Sequence, residues 1–208
     1  FMEQRAFGHA IQDDKIYKMG LLDRKKMVEA HLQSLDFMND DRAWEKREEL
    51  TAMAVAIDAV ILSAERHADY ALELASAEQD PLRKLELEKI ADVCARVPAN
   101  APRDFQEALQ CYWFVHLGVI TELNTWDSFD PGRLDQHLYP FYKKGLEDGT
   151  LTEDAARELL QCFWVKFNNQ PAPPKVGVTE EQSGTYTDFA LINVGGLKPD
   201  GSDAVNEV

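Results

Sequence analysis

Apolar residues recur at helical spacing from about residue 14 to residue 168, and the chain then meets Pro171-Ala172-Pro173-Pro174, a run that no helix crosses. That switch divides the expected fold into a mostly helical portion over residues 1–168 and a loop and strand portion over residues 169–208. Leu21, Leu22, Met27, Val28, Leu32 and Leu35 trace a first stripe that ends near Asn39-Asp40-Asp41. Trp44, Leu50, Met53, Ile57, Ile61, Ala64, Ala68 and Leu72 trace a second, alanine-rich and long, stopping before Asp80-Pro81. Asp80 suits the cap and Pro81 the first turn of a helix carrying Leu82, Leu85, Val93 and Val97, which Pro98 ends.

Asp104 with Glu107 three residues on has the form of a capping box. Phe105, Leu109, Tyr112, Trp113, His116, Leu117 and Ile120 follow on a helix that is apolar nearly all round and is therefore expected to be buried on most sides. Thr152, followed by Glu153 and Asp154, caps a further helix through Leu159, Leu160, Phe163, Trp164 and Phe167. Beyond it, Lys175-Val176-Gly177-Val178-Thr179 and Phe189-Ala190-Leu191-Ile192-Asn193-Val194 read as short strands. The predicted class is mainly α, with a few short strands near the C-terminus. The opening on Phe1, and the turn-like Asp200-Gly201-Ser202-Asp203 just before the last residue Val208, predict a piece of a longer protein.

Charge excludes several function classes. Lys and Arg number 22 against 37 Asp and Glu, a net charge of −15, which disfavours nucleic acids and anionic membranes. The 45% hydrophobic content excludes a disordered chain. No run approaches the length of a membrane-spanning helix, and Phe1-Met2-Glu3-Gln4-Arg5 lacks a signal-peptide pattern. The three cysteines, Cys94, Cys111 and Cys162, stand far apart in apolar helical runs, so they read as small buried hydrophobes in a reducing, cytoplasmic setting. No C-x-x-C or H-E-x-x-H occurs, and none of the five histidines follows a Glu by three residues, so no metal site is expected. No Walker A or G-x-G-x-x-G pattern supports nucleotide binding.

Four stretches carry residues fit for chemistry. His9, beside Gly8 in an apolar opening, is an acid or base near neutral pH, although its local pattern fits a core histidine better. Asn124-Thr125-Trp126-Asp127-Ser128-Phe129-Asp130-Pro131-Gly132-Arg133 packs carboxylates, a hydroxyl and aromatics into a tight loop behind a buried helix. Asp127 there either bonds a substrate hydroxyl or closes a turn. Arg133 and Asp135 would lock the loop by an ion pair, and Tyr139-Pro140 reads as packing. Ser183-Gly184-Thr185-Tyr186-Thr187-Asp188-Phe189 is either an ordinary polar turn or a hydroxyl-rich cradle for a carboxylate or phosphate.

Two segments carry a resemblance. Asn100-Ala101-Pro102-Arg103-Asp104-Phe105-Gln106-Glu107-Ala108-Leu109-Gln110 and Gly132-Arg133-Leu134-Asp135-Gln136-His137-Leu138-Tyr139-Pro140-Phe141-Tyr142 resemble the pyruvate formate-lyase-like domain of glycyl radical enzymes. The resemblance implies a partial domain over residues 1–208 of a ten-stranded α/β barrel. The catalytic Cys loop and the glycyl radical domain would lie outside the chain, since none of Cys94, Cys111 and Cys162 has a Glu two residues on. It further implies a radical installed by a radical S-adenosylmethionine activating enzyme, anaerobic function, and a homodimer at full length.

Within that superfamily the pocket positions are most similar to the branch that dehydrates a 4-hydroxylated proline. By that resemblance His9 and Asp127 would contact the departing 4-hydroxyl, and Ser128 would share their loop. Ser183 and the backbone N–H of Phe189 would hold the carboxylate, Phe1 would pack on the ring, and Asp188 would belong to the same wall. Other readings stay open: a sister enzyme acting on a diol, choline, isethionate or formate-type substrate, or a helical scaffold without chemistry.

Overall fold

The computed structural model describes residues 9–122, 129–168, 192 and 194–208. Among them the order is β1 (His9–Ala10), α1 (Lys15–Lys18), α2 (Leu21–Gln33), α3 (Ala43–Ala77), α4 (Pro81–Arg96), α5 (Phe105–Glu122), β2 (Phe129–Asp130), α6 (Leu134–Glu147) and α7 (Glu153–Asn168). The described residues are thus mainly helical. The strand runs expected over 175–179 and 189–194 lie outside them, apart from Ile192 and Val194. The backbone separates into two units, one continuous over Lys18–Pro102 and one combining Phe1–Tyr17 with Arg103–Val208.

In the continuous unit, α3 and α4 form a hairpin, and α2 packs on α3. The seam on α3 is Ile61, Ala64, Ala68, Ala71 and Ala75, at alternating three- and four-residue steps that hold one face of a helix. Small side chains on that face let a neighbouring helix come close. The expected stripe is therefore corrected at Trp44, Met53 and Leu72, which are exposed. Leu72 sits one residue, about 100° of rotation, away from Ala71. On α4 the buried residues are Leu87, Ala91, Val93 and Cys94, while Leu82 and Leu85 are exposed. Asp80 caps α4 as expected, its carboxylate accepting the Leu82 N–H at 2.9 Å, with Pro81 in the first turn.

The first helix of this unit ends at Gln33, earlier than the apolar spacing predicts. Asp36 explains the difference: its carboxylate takes the backbone N–H groups of Met38 and Asn39 at 3.0 and 3.1 Å, an alternative to helix that short acidic side chains offer. At its other end α2 has no side-chain cap on Gly20. Its first donors turn to the chain after α4 instead, Leu21 N–H to Pro98 O at 2.9 Å and Leu22 N–H to Ala99 O at 3.0 Å. The approach is so close that a β-carbon on Gly20 would stand 2.5 Å from Asn100 Cα.

The second unit is built on α5. Phe105, Ala108, Leu109, Cys111, Tyr112, Trp113, Phe114, Val115, His116 and Ile120 are all buried, as its all-round apolar sequence predicts. Tyr112 and Trp113 meet Phe163 of α7 at 5.9 and 6.2 Å between ring centres, and Phe105 meets Tyr142 of α6 at 6.1 Å. Asp104 accepts the Glu107 N–H at 2.9 Å, half of the expected capping box. The other half is displaced by one residue: the buried Glu107 carboxylate accepts the Arg103 N–H at 2.7 Å and pairs with the Arg103 guanidinium. Thr152 caps α7 through the Ala155 N–H at 3.1 Å. Cys94 and Cys111 are buried as expected, but Cys162 is exposed, because α7 turns Ala156 and Phe163 inward and Cys162 off that line.

Candidate active site

The two strands pair in parallel, with His9 opposite Phe129 and Ala10 opposite Asp130. The Ile11 N–H extends the ladder to Asp130 O at 3.0 Å. In sequence, Phe129 follows Asp127 and Ser128 directly, so the strand opposite His9 begins immediately after both. The backbone of His9 is thereby fixed. Phe1, Asp127, Ser128, Ser183, Asp188 and Phe189 lie outside the described residues.

The backbone just after β1 is strained. Gln12 and Asp13 adopt φ of 60° and 51°, a left-handed turn that costs residues other than glycine about 1–2 kcal/mol each. Such a turn persists only when its surroundings hold it. Part of the hold is the Lys15 N–H to Gln12 O bond at 3.2 Å. Another part comes from α6, where His137 Nε2 approaches Asp13 Oδ1 to 3.2 Å, with the histidine side chain 8% and the aspartate 60% exposed.

Arg133 and Asp135, expected to lock the preceding loop by an ion pair, stand at the start of α6, with Arg133 at its cap and Pro140 inside it. The ion pair is replaced by three grips on one stretch of backbone. Buried Asp135 accepts the Gly195 N–H on Oδ2 at 2.6 Å, Gln136 donates to Gly195 O at 2.9 Å, and Arg133 donates to Leu197 O at 3.3 Å. Asp135 and Arg133 thus share a target rather than a bond. That target is itself ordered: Leu197 bridges Asp203, Lys198 N–H bonds Ser202 O at 2.9 Å, and Ala204 N–H bonds Gly196 O at 3.0 Å. Gly195 has φ +73°, and a β-carbon there would stand 3.1 Å from Val205, so the gripped position admits only glycine without strain.

Burial holds the His137 imidazolium below its ordinary range, against the opposing pull of the Asp13, Asp14 and Asp135 carboxylates. The ring is therefore neutral at neutral pH. Tyr17 packs beside it, the two rings tilted by 50° with their centres 5.6 Å apart. Burial, reinforced by Cys111 and Asp13, raises the Tyr17 phenol far above its usual value, so it stays protonated. Its hydroxyl finds no hydrogen-bond partner among the described residues.

Among the described residues no three His, Cys, Asp or Glu side chains gather in a way that could hold a metal ion. No helix among them is long and apolar enough to cross a membrane. The contacts of Asp13, Gln136 and His137 have no signature in their local pattern; Gln136 and His137 are marked only as part of the segment from Gly132 to Tyr142 that carries the resemblance.

Residues 1–208 match the Pyruvate formate lyase-like family. The chain is 57% identical over 208 residues to trans-4-hydroxy-L-proline dehydratase of Clostridioides difficile, covering 100% of this chain and 26% of that protein. It is 39% identical over 198 residues to isethionate sulfite-lyase of Nitratidesulfovibrio vulgaris, covering 94% of this chain and 24% of that one. The crystal structure of hydroxyproline dehydratase from Clostridioides difficile with trans-4-hydroxy-L-proline bound matches with a TM-score of 0.90 over 100% of this chain and 26% of that chain, at 57% identity. The glycerol-bound B12-independent glycerol dehydratase from Clostridium butyricum matches with a TM-score of 0.85 at 29% identity, over 98% of this chain and 25% of its own. The chain thus spans about a quarter of the length of these relatives. With the match running from the first residue to the last, the chain belongs to the Pyruvate formate lyase-like family.

Proposed function

We propose that this chain is an N-proximal part of a glycyl radical dehydratase that converts trans-4-hydroxy-L-proline to a pyrroline-5-carboxylate and water. The observation that carries the reading is 57% identity over the full 208 residues to a hydroxyproline dehydratase, joined to a fold match with the substrate-bound form of such an enzyme. On this reading residues 1–168 supply helical outer layers of a ten-stranded α/β barrel, and residues 169–208 supply loop and strand. The remainder of the protein holds the catalytic Cys loop and the glycyl radical, which an activating enzyme of the radical S-adenosylmethionine class installs. The full-length enzyme is a cytoplasmic homodimer.

The radical chemistry, removal of hydrogen from the carbon next to nitrogen, is supplied by that remainder. The residues of this chain do the polar work. As the adjacent C4–O bond breaks, hydroxide is too poor a leaving group, and the oxygen must gain a proton to depart as water. His9 and Asp127 are the pair that supplies it, hydrogen bonding within the pair tuning which partner donates. The parallel pairing of His9 with Phe129 supports this, because it joins the strand of one to the strand that continues from the other. Ser183 and the Phe189 N–H receive the substrate carboxylate, for which hydroxyl and amide donors are the matched partners. Phe1 covers the ring and excludes water, and Ser128 and Asp188 complete the wall.

The test uses the activated full-length enzyme. His9→Gln and Asp127→Asn should each abolish release of the pyrroline product from hydroxyproline while the radical is still installed. Full activity in either variant would refute the assignment. A wild-type enzyme active on isethionate or a diol and inert to hydroxyproline would move the reading to a sister enzyme.

A further inference from the structure

We propose that the outer face of α3 is where two copies of this protein meet, as an antiparallel pair of α3 helices about a two-fold axis level with Ile57. This rests on the reading of the full-length protein as a homodimer and names the surface that makes it one. The inner seam of α3 is the line through Ile61, Ala64, Ala68, Ala71 and Ala75. On the opposite side of the helix, at about 100° per residue, runs a second line. It comprises Trp44, Glu48, Ala52, Val55, Ala59, Leu62, Arg66 and Tyr70, at steps of three and four residues. All eight are exposed, Trp44 at 62%, Val55 at 63%, Leu62 at 56% and Tyr70 at 59%. A helix face that meets only solvent is polar, and this one is mostly apolar. Four large apolar side chains in line form a patch, unlike apolar residues scattered singly.

The order of residues along the stripe is self-complementary. In a two-fold contact each residue meets a different one on the other copy, which meets the first in return. An axis level with Ile57 lies midway between Val55 and Ala59. It sets Val55 against the partner's Ala59, Ala52 against the partner's Leu62, Trp44 against the partner's Tyr70 and Glu48 against the partner's Arg66. Each branched aliphatic side chain thus faces an alanine, which lets the two helices interdigitate at about 8–10 Å. Aromatic meets aromatic at both ends of a contact about 39 Å long. Phe37, itself exposed and 5.0 Å from Trp44 between ring centres, widens each end.

Charge decides the occupant. Each copy carries a net charge of −15, so two copies repel unless their contact brings opposite charges together. Glu48 and Arg66 are the charged residues of the stripe, opposite in sign and equally far from its middle, so the two-fold axis pairs them twice. Arg66 forms no ion pair among the described residues, and Glu48 has a long one, 3.6 Å to Arg47. At the rim Glu45 comes toward the partner's Asp69, and Arg42, 2.9 Å from Glu45, offsets that approach of like charges. A cover formed by an unrelated surface has no need of this symmetry.

Sedimentation velocity of the full-length protein over a concentration series tests the contact, without activation or substrate. Arg66→Glu places two like-charge pairs in the contact and should raise the dimer dissociation constant at least about 100-fold. Glu48→Arg should do the same. Combining Glu48→Arg with Arg66→Glu exchanges the two charges and restores both pairs, and should return the constant to within about tenfold of wild type. Glu65→Arg, one residue from Arg66 but about 100° off the stripe, should change it less than about threefold. Single reversals that leave the dimer intact, or a double variant no better than the singles, would overturn this surface and leave the homodimer standing. Loss of helix in single and double variants alike, seen by circular dichroism, would mean that the remainder of the protein covers the stripe, and overturns it too. A wild-type protein that sediments as a monomer removes the homodimer and this surface with it. Release of the pyrroline product from hydroxyproline judges the catalytic reading separately.

Discussion

Gly20 offers a test in which the structure reverses a rule read from sequence. Ser or Asp at a helix N-cap normally stabilises by about 1 kcal/mol relative to residues that cannot cap, and glycine ranks lower. By that rule Gly20→Ser should help α2. The structure demands the opposite, for Gly20→Ser and Gly20→Ala alike. An added β-carbon would stand 2.5 Å from Asn100 Cα and 2.6 Å from Asn100 C, both backbone atoms that no side-chain rotation can move aside. Ordinary carbon contacts lie at about 3.5–4.0 Å, so the chain at residues 99–100 must retreat by about 1 Å.

That retreat lengthens the Leu21 N–H to Pro98 O and Leu22 N–H to Ala99 O bonds, now 2.9 and 3.0 Å, beyond hydrogen-bonding range. Two lost backbone bonds cost about 1–3 kcal/mol and the residual overpacking about 1 kcal/mol or more, for a total near 3 kcal/mol. Hydrogen exchange of the full-length protein, read by mass spectrometry on peptides covering α2, should show local opening there increased about 150-fold. Gly149→Ala is the control. Its φ of +68° is strained for alanine, yet nothing lies within 4 Å of the added carbon, so the effect should stay about fivefold and confined to the α6–α7 turn. A change of less than about threefold in α2 for Gly20→Ala would sink the packing argument.

Two further outcomes are expected from the packing and from His137. Because burial lowers the His137 pKa in the folded state below its ordinary 6.5, the unfolded chain binds the proton more readily once pH falls below that value. Its contribution is complete above 6.5 and lost as pH drops toward the folded pKa. The melting temperature of the full-length enzyme should fall across that window, and more shallowly for His137→Phe; an identical slope would count against a buried neutral ring. On α3, Ala68→Leu forces a branched side chain into the seam with α4 and should cost about 1–3 kcal/mol, seen as faster exchange along both helices and not along α7.

The sequence made the helices legible because period and punctuation agree: Asp80-Pro81 opens α4, Thr152 opens α7, and α5 buries every residue of its predicted stripe but the half-buried Leu117. It misplaced faces where helices approach closely. Periodicity weights bulky residues, so it favoured Leu72 and Leu82, whereas the hairpin of α3 and α4 buries alanines whose merit is their small size. It also missed α6 as a helix, since Pro140 and the density of charged and aromatic residues between Arg133 and Tyr142 mask its period. The contacts made by α6 were hidden for a different reason. Asp135 and His137 act on Gly195 and Asp13, partners distant along the chain, and no local pattern encodes a contact of that kind.

The division of the chain into units also sets an order of events. Lys18–Pro102 is contiguous and rests on contacts between helices near one another in sequence, the kind that form quickly. The β1–β2 ladder instead joins residues on either side of that whole stretch, and its entropic cost grows with the length of unordered chain between them. Once the helical hairpin has condensed, most of the intervening chain no longer counts toward that closure. The strand that carries His9 is therefore expected to pair late, and a defect confined to α3 or α4 should delay that pairing although it lies in neither strand.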